Sequence, residues 1–171
     1  MKTKSLQMAF GLALLLTAIS AHAADILGGG ETEVAAWAQE KGYQVQPTTQ
    51  GTTACLKGHR YIPMSGKGIK LQAAYFHPVY QLDTQVIAMV EFEPAAPIGK
   101  AEAERLVIQV APIAGTRPPT HRQAITAGNE PCAPPHGGLD ARYTDDYFAE
   151  YFYAPDRKSI ERVRVYNENI R

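Results

Sequence analysis

Thr84-Gln-Val-Ile-Ala-Met-Val-Glu-Phe-Glu93 is the stretch that decides the fold. Val86, Ala88, Val90 and Phe92 recur at period two, with Ile87 and Met89 between them and Gln85 and Glu91 beside those. Successive side chains of a strand point to opposite faces. One face of this strand is apolar throughout and the other half apolar, which marks a central strand whose second face is partly covered.

The neighbours on the N-terminal side follow the same alternation. Ile69, Leu71, Ala73 and Tyr75 alternate with Lys70, Gln72, Ala74 and Phe76, which predicts a strand over 69–77 antiparallel to the first. Pro78 removes a ladder donor and marks a bulge or an edge. Ser65-Gly-Lys-Gly68 is a turn, with a short strand over 61–64 before it. The polar stretch 44–53 reads as a short strand or a loop. Further upstream, Val34, Trp37, Ala38 and Lys41 share one side of a helix over 31–42. Glu31 and Glu33 suit its positive end, Lys41 and Gly42 its stop, and Trp37 is read as the anchor to the sheet.

On the C-terminal side, Pro94-Ala-Ala-Pro97 ends the central strand. Ala103, Leu106, Val107 and Val110 form a helical stripe, yet Leu106 to Ile113 is rich in β-branched residues. The expectation is a helix through about Leu106, with helix and strand both open beyond it. Six prolines, from Pro112 to Pro135, and four glycines, Gly115, Gly128, Gly137 and Gly138, predict an irregular segment up to Asp140, with at most one helical turn over 122–127. The chain closes with a hairpin: strands over 146–153 and 159–166, turned by Ala154-Pro-Asp-Arg157. With a two- or four-residue loop, Phe148 and Phe152 share a face with Val163 and Val165. Tyr147, Tyr151 and Tyr153 then stand beside Arg162, Arg164 and Tyr166 on the other. A three-residue loop pairs Glu150 with Arg162 and mixes the faces. The expected fold is α+β: an antiparallel sheet of about five strands, one or two helices packed on one face, and one disulfide.

Destination comes from the first 23 residues. Lys2 and Lys4 precede an uncharged, mostly apolar run from Met8 to Ile19, then Ser20-Ala-His-Ala23. That is the pattern of a secretory signal peptide, and the run is too short for the ~20 residues that a bilayer span needs. Residues 24–171 are expected to form one α+β domain. Cleavage removes two of the 17 basic residues against an unchanged 17 acidic, leaving a net charge near −2. Such a chain lacks the clustered positive excess of a nucleic-acid binder. The expectation is a periplasmic or secreted protein with no transmembrane segment after cleavage. In an oxidising compartment Cys55 and Cys132, the two cysteines present, are expected to pair in a structural disulfide.

No residue pattern calls for a metal or a cofactor. His59, His77, His121 and His136 fall in no metal-binding motif, Ser65 lacks a nucleophile-elbow context, and no carboxylate pair suggests acid–base work. Two surfaces stand out instead. One is the Tyr147, Tyr151, Tyr153, Arg162, Arg164 and Tyr166 face, built from residue types that dominate protein-binding hot spots. The other is the basic run Lys57, His59, Arg60, Lys67 and Lys70, suited to an anionic glycan, a lipid headgroup or an acidic protein surface. The expected function is a small exported binding or inhibitory module that meets a protein partner in the cell envelope through the hairpin face. The alternatives are a small periplasmic hydrolase using His136 and Asp140, and a structural envelope component.

Overall fold

The computed structural model describes residues 26–51, 58–76, 85–128 and 132–170. Helix α1, Glu31–Lys41, leads to the two-residue strands β1, Gln44–Val45, and β2, Thr49–Gln50. The strands β3, Arg60–Gly66, β4, Ile69–Phe76, and β5, Val86–Pro94, then form a meander. Helix α2, Lys100–Val110, opens a second pass, followed by a 3-10 turn over Pro112–Gly115. This pass continues through β6, His121–Ile125, β7, Gly138–Arg142, β8, Tyr147–Tyr153, and β9, Ile160–Asn167. The described residues thus form an α+β fold with two helices and nine strands, not about five, all paired antiparallel.

The strand order is β1-β3-β4-β5-β9-β8-β7-β6, with β2 also on β3. Each pass runs from helix to sheet edge to sheet centre, and the last strands of the two passes meet there. The register at the centre pairs Val90 with Val165, Glu91 with Arg164 and Phe92 with Val163. Strand β5, Val86–Pro94, is accordingly central, as its two-faced apolar pattern predicts.

Both helices lie on one face of the sheet. Val34, Trp37 and Ala38 of α1 and Ala103, Leu106, Val107 and Val110 of α2 share a buried cluster with Ile62, Leu71, Val90, Phe92 and Val163. Trp37 is buried, stacks on Tyr43 at 5.6 Å and donates its indole N–H to the Gln109 carbonyl at 2.9 Å. It therefore ties α1 to the last turn of α2 as well as to the sheet. Gly42 ends α1 at φ +77°, a conformation only glycine adopts freely. The whole of 100–110 is helical, so the apolar stripe at 103, 106, 107 and 110 prevails over the β-branched content.

Two register shifts correct the face assignments. In β5, Ala74 pairs with Met89 but Tyr75 with Ile87, so Ala88 is an extra residue. Ile87, not Ala88, therefore joins Val90 and Phe92 in the core. In β9, Phe152 pairs with Arg162 but Tyr153 with Ile160, making Glu161 extra. A bulge of one residue moves every later side chain to the opposite face. The hairpin has a four-residue loop, closed by the Ala154 N–H on the Ser159 carbonyl, yet Glu161 inverts the faces that this loop length alone implies. Residues 122–125, expected in an irregular stretch or one helical turn, lie within β6.

Cys132 lies exposed between β6 and β7, whereas Cys55 and Pro78 fall outside the described residues. No disulfide has both ends among the described residues.

Candidate functional site

The hairpin residues part company across the sheet. Tyr151 pairs with Val163 and Ala149 with Val165 on the helix-covered face, and Tyr147 and Tyr153 pack against the same core. Phe148 pairs with Tyr166, Glu150 with Arg164 and Phe152 with Arg162 on the second face. The single Tyr/Arg face expected from the sequence is therefore split by the Glu161 bulge. Tyr151, Tyr166 and Arg164 are each buried, at 4%, 6% and 9% exposure.

On the second face the charged groups satisfy one another. Arg164 donates from Nε and Nη2 to Glu91 Oε2 at 3.0 and 2.7 Å, and from Nη1 to Glu150 Oε2 at 2.9 Å. Arg162 Nη1 lies 3.8 Å from the same Glu91 oxygen. Burial alone would lower the Arg164 pKa, but the two carboxylates more than offset it and hold the guanidinium charged. Arg162 and Arg164 also cover the Phe152 ring at 4.5 and 4.9 Å, Arg142 covers Phe148 at 4.4 Å, and Phe148 stacks on Tyr166 at 5.3 Å. A row of polar side chains crosses five strands here: Glu91, Arg164, Glu150, Asp140 and Gln123. One place before its far end, Asp140 Oδ1 is buried without a hydrogen-bond partner, and burial raises the Asp140 pKa.

The basic run does not gather into one patch. Lys57 lies outside the described residues. Arg60 sits over the Tyr75 ring at 5.2 Å, while Lys67 at the other end of β3, about 20 Å away for a seven-residue strand, sits near Tyr43 at 5.9 Å. His136 and Asp140 are absent from the walls of four clefts on the described surface, and no hydrogen bond joins them.

Cations with few carboxylate partners among the described residues gather on the other side, along α2. A cleft of about 150 Å³ is lined by Lys100, Tyr151, Tyr153, Arg157, Lys158 and Ile160, with no acid in its wall. A second, of about 220 Å³, is lined by Glu104, Ile108, Arg117, Pro118, Arg122 and Tyr143. Tyr151 lines the first and Tyr143 the second, and their hydroxyls share a buried 2.7 Å hydrogen bond. Burial raises both tyrosine pKa values, so these hydroxyls stay protonated. Lys100, Glu104 and Ile108 follow one another at i, i+4 along α2 and so run from one cleft to the other. Lys100 approaches Glu104 only at 4.0 Å, and Arg117, Arg122, Arg157 and Lys158 form no ion pair among the described residues. Arg157 occupies the left-handed region at φ +54°. Asp156 ties down the turn beside it by accepting from the Lys158 and Ser159 N–H groups, both at 2.9 Å, bonds that bring its pKa down to about 2.

Sequence reasoning missed Lys100, Arg117, Arg122, Arg157 and Lys158. The signal was there to find: Arg157 and Lys158 occupy the hairpin turn, and Arg117 and Arg122 flank Pro118-Pro119. Comparison with protein-family models, with curated proteins and with solved structures finds no match.

Proposed function

We propose that the chain is an exported binding or inhibitory module of the cell envelope that holds an acidic segment of a protein partner against α2 and the hairpin turn. One observation carries this reading: five basic side chains line two clefts along α2 whose walls contain a single acid, Glu104. An excess of cations around a partly aromatic wall favours an incoming carboxylate and steers its approach. Tyr153 supplies rigid contact area beside them, so part of the hairpin surface read from the sequence takes part, while Arg164 and Tyr166 serve the interior. The signal-peptide pattern of residues 1–23 supports export, and the Cys55–Cys132 bridge belongs to the same proposal. No free cysteine occurs among the described residues.

Capture from periplasmic extract of the native host tests the reading. Arg157→Glu/Lys158→Glu protein should lose the partners that wild type retains, whereas Lys70→Glu protein should keep them. Identical partner sets for all three, or recovery of nothing but more copies of the chain itself, would overturn it. Alkylation of the unfolded, unreduced protein should leave both cysteines unlabelled.

A further inference from the structure

The sheet has two unlike ends. At one, the two short strands β1 and β2 cover successive parts of β3. At the other, β6 pairs with β7 alone among the described residues, and His121, Arg122, Gln123 and Ala124 are all exposed. An edge strand offers a row of unpaired N–H and C=O groups, which proteins commonly blunt with proline, bulges or inward-facing charge. β6 contains no proline and pairs with β7 through all five residues without a register shift. It is a regular template whose one charge on the core side, Arg122, disfavours a basic or apolar neighbour and suits an acidic one.

A recess lies beside that template. Arg122 pairs with Ala141, a core residue, so Arg122 and Ala124 belong to the helix-covered side of the sheet. Both are nevertheless exposed, because the helices do not cover β6. The cleft between α2 and β6 is walled by Ile108, an apolar side chain left 38% exposed, by Pro118, and by Arg117 and Arg122 against the lone Glu104.

We infer that an extended acidic segment of a protein partner joins the sheet as a further strand alongside β6. Its backbone pairs with the free edge, and its alternate side chains enter the cleft beside Ile108, Arg117 and Arg122. The inference rests on reading the chain as a protein-binding module and names the partner's conformation and charge. Main-chain hydrogen bonds supply the affinity of strand addition, and pockets for alternate side chains supply its selectivity. A second copy of this chain fits less well, since it would crowd two sets of Arg117 and Arg122 at one seam.

The probe is an end-blocked eight-residue peptide of alternating valine and glutamate, titrated into the purified protein. Its controls are the valine–lysine counterpart and a version of the acidic peptide N-methylated at alternate residues. The acidic peptide should bind at least about tenfold more tightly than the lysine peptide, and N-methylation should weaken it at least about tenfold, since each backbone hydrogen bond contributes ~1 kcal/mol. Arg117→Glu/Arg122→Glu protein, whose changes are at exposed positions, should reverse the charge preference with unchanged Trp37 emission. Equal binding of the N-methylated peptide, equal binding of both charge types, or no binding of any peptide would overturn strand addition. If those failures occur while capture from extract still depends on Arg157 and Lys158, the protein-binding reading stands without this mode. If capture is itself insensitive to those residues, the wider reading falls.

Discussion

Arginines occur in two regions of this molecule under opposite conditions. On the second face of the sheet, Arg164 is buried, bonded to Glu91 and Glu150 and laid on Phe152. Along α2 and the β6 edge, Arg117, Arg122 and Arg157 are exposed beside clefts and bonded to no carboxylate among the described residues. A charge that is fully paired inside the fold contributes to one arrangement of strands and has little left to offer a partner. A charge held at a concave surface without an internal partner costs the fold little and remains available. Residue type alone does not separate the two; pairing and burial do.

The comparison is broken most directly at Arg164. Arg164→Ala should lower the unfolding free energy by about 3–5 kcal/mol in urea titration, because Glu91 and Glu150 remain as poorly solvated like charges. A loss below about 1 kcal/mol would show that the network is a surface feature. Gly138→Ala comes next. A Cβ there would clash with the Tyr151 carbonyl oxygen, so β7 must separate from β8, at a cost of roughly 2 kcal/mol or more in the same assay.

Asp140 sharpens the contrast through pH. Its raised pKa means that the folded protein binds this proton more readily than the unfolded chain does. The group thus weakens the fold as pH rises through the carboxylate range, and the penalty is fully present above the raised pKa. Asp140→Asn should increase stability at neutral pH, and that gain should fade as pH falls below the ordinary aspartate value. Equal differences at both pH values would contradict the assignment. The smallest effects belong to the clefts: Arg117→Ala, Arg122→Ala and Lys158→Ala should each change stability by less than about 0.5 kcal/mol, as surface changes without partners do.

Much of the fold was legible because its elements carry strong periodicity. The central strand, the α1 stripe at 34, 37 and 38, and the two arms of the final hairpin all follow from spacing. What was not legible has specific causes. Ala88 and Glu161 each add one residue to a strand, and nothing in their side chains announces this, so the faces of β5 and the hairpin came out inverted over part of their length. Strands β6 and β7 lie within a proline- and glycine-rich segment. There Gly138 marks close strand approach and Gly137 a left-handed turn at φ +75°, but sequence alone reads both as irregular structure. The clefts were out of reach because they join α2, the hairpin turn and β6, which lie far apart in the chain.

A backbone amide map of the isotopically labelled protein, with and without the alternating valine–glutamate peptide, tests the central division most directly. Shifts and slowed exchange should be confined to His121–Ile125 and the neighbouring α2 surface around Ile108, with Arg162–Tyr166 unmoved. Shifts centred on Arg162, Arg164 and Tyr166, with β6 unchanged, would contradict it.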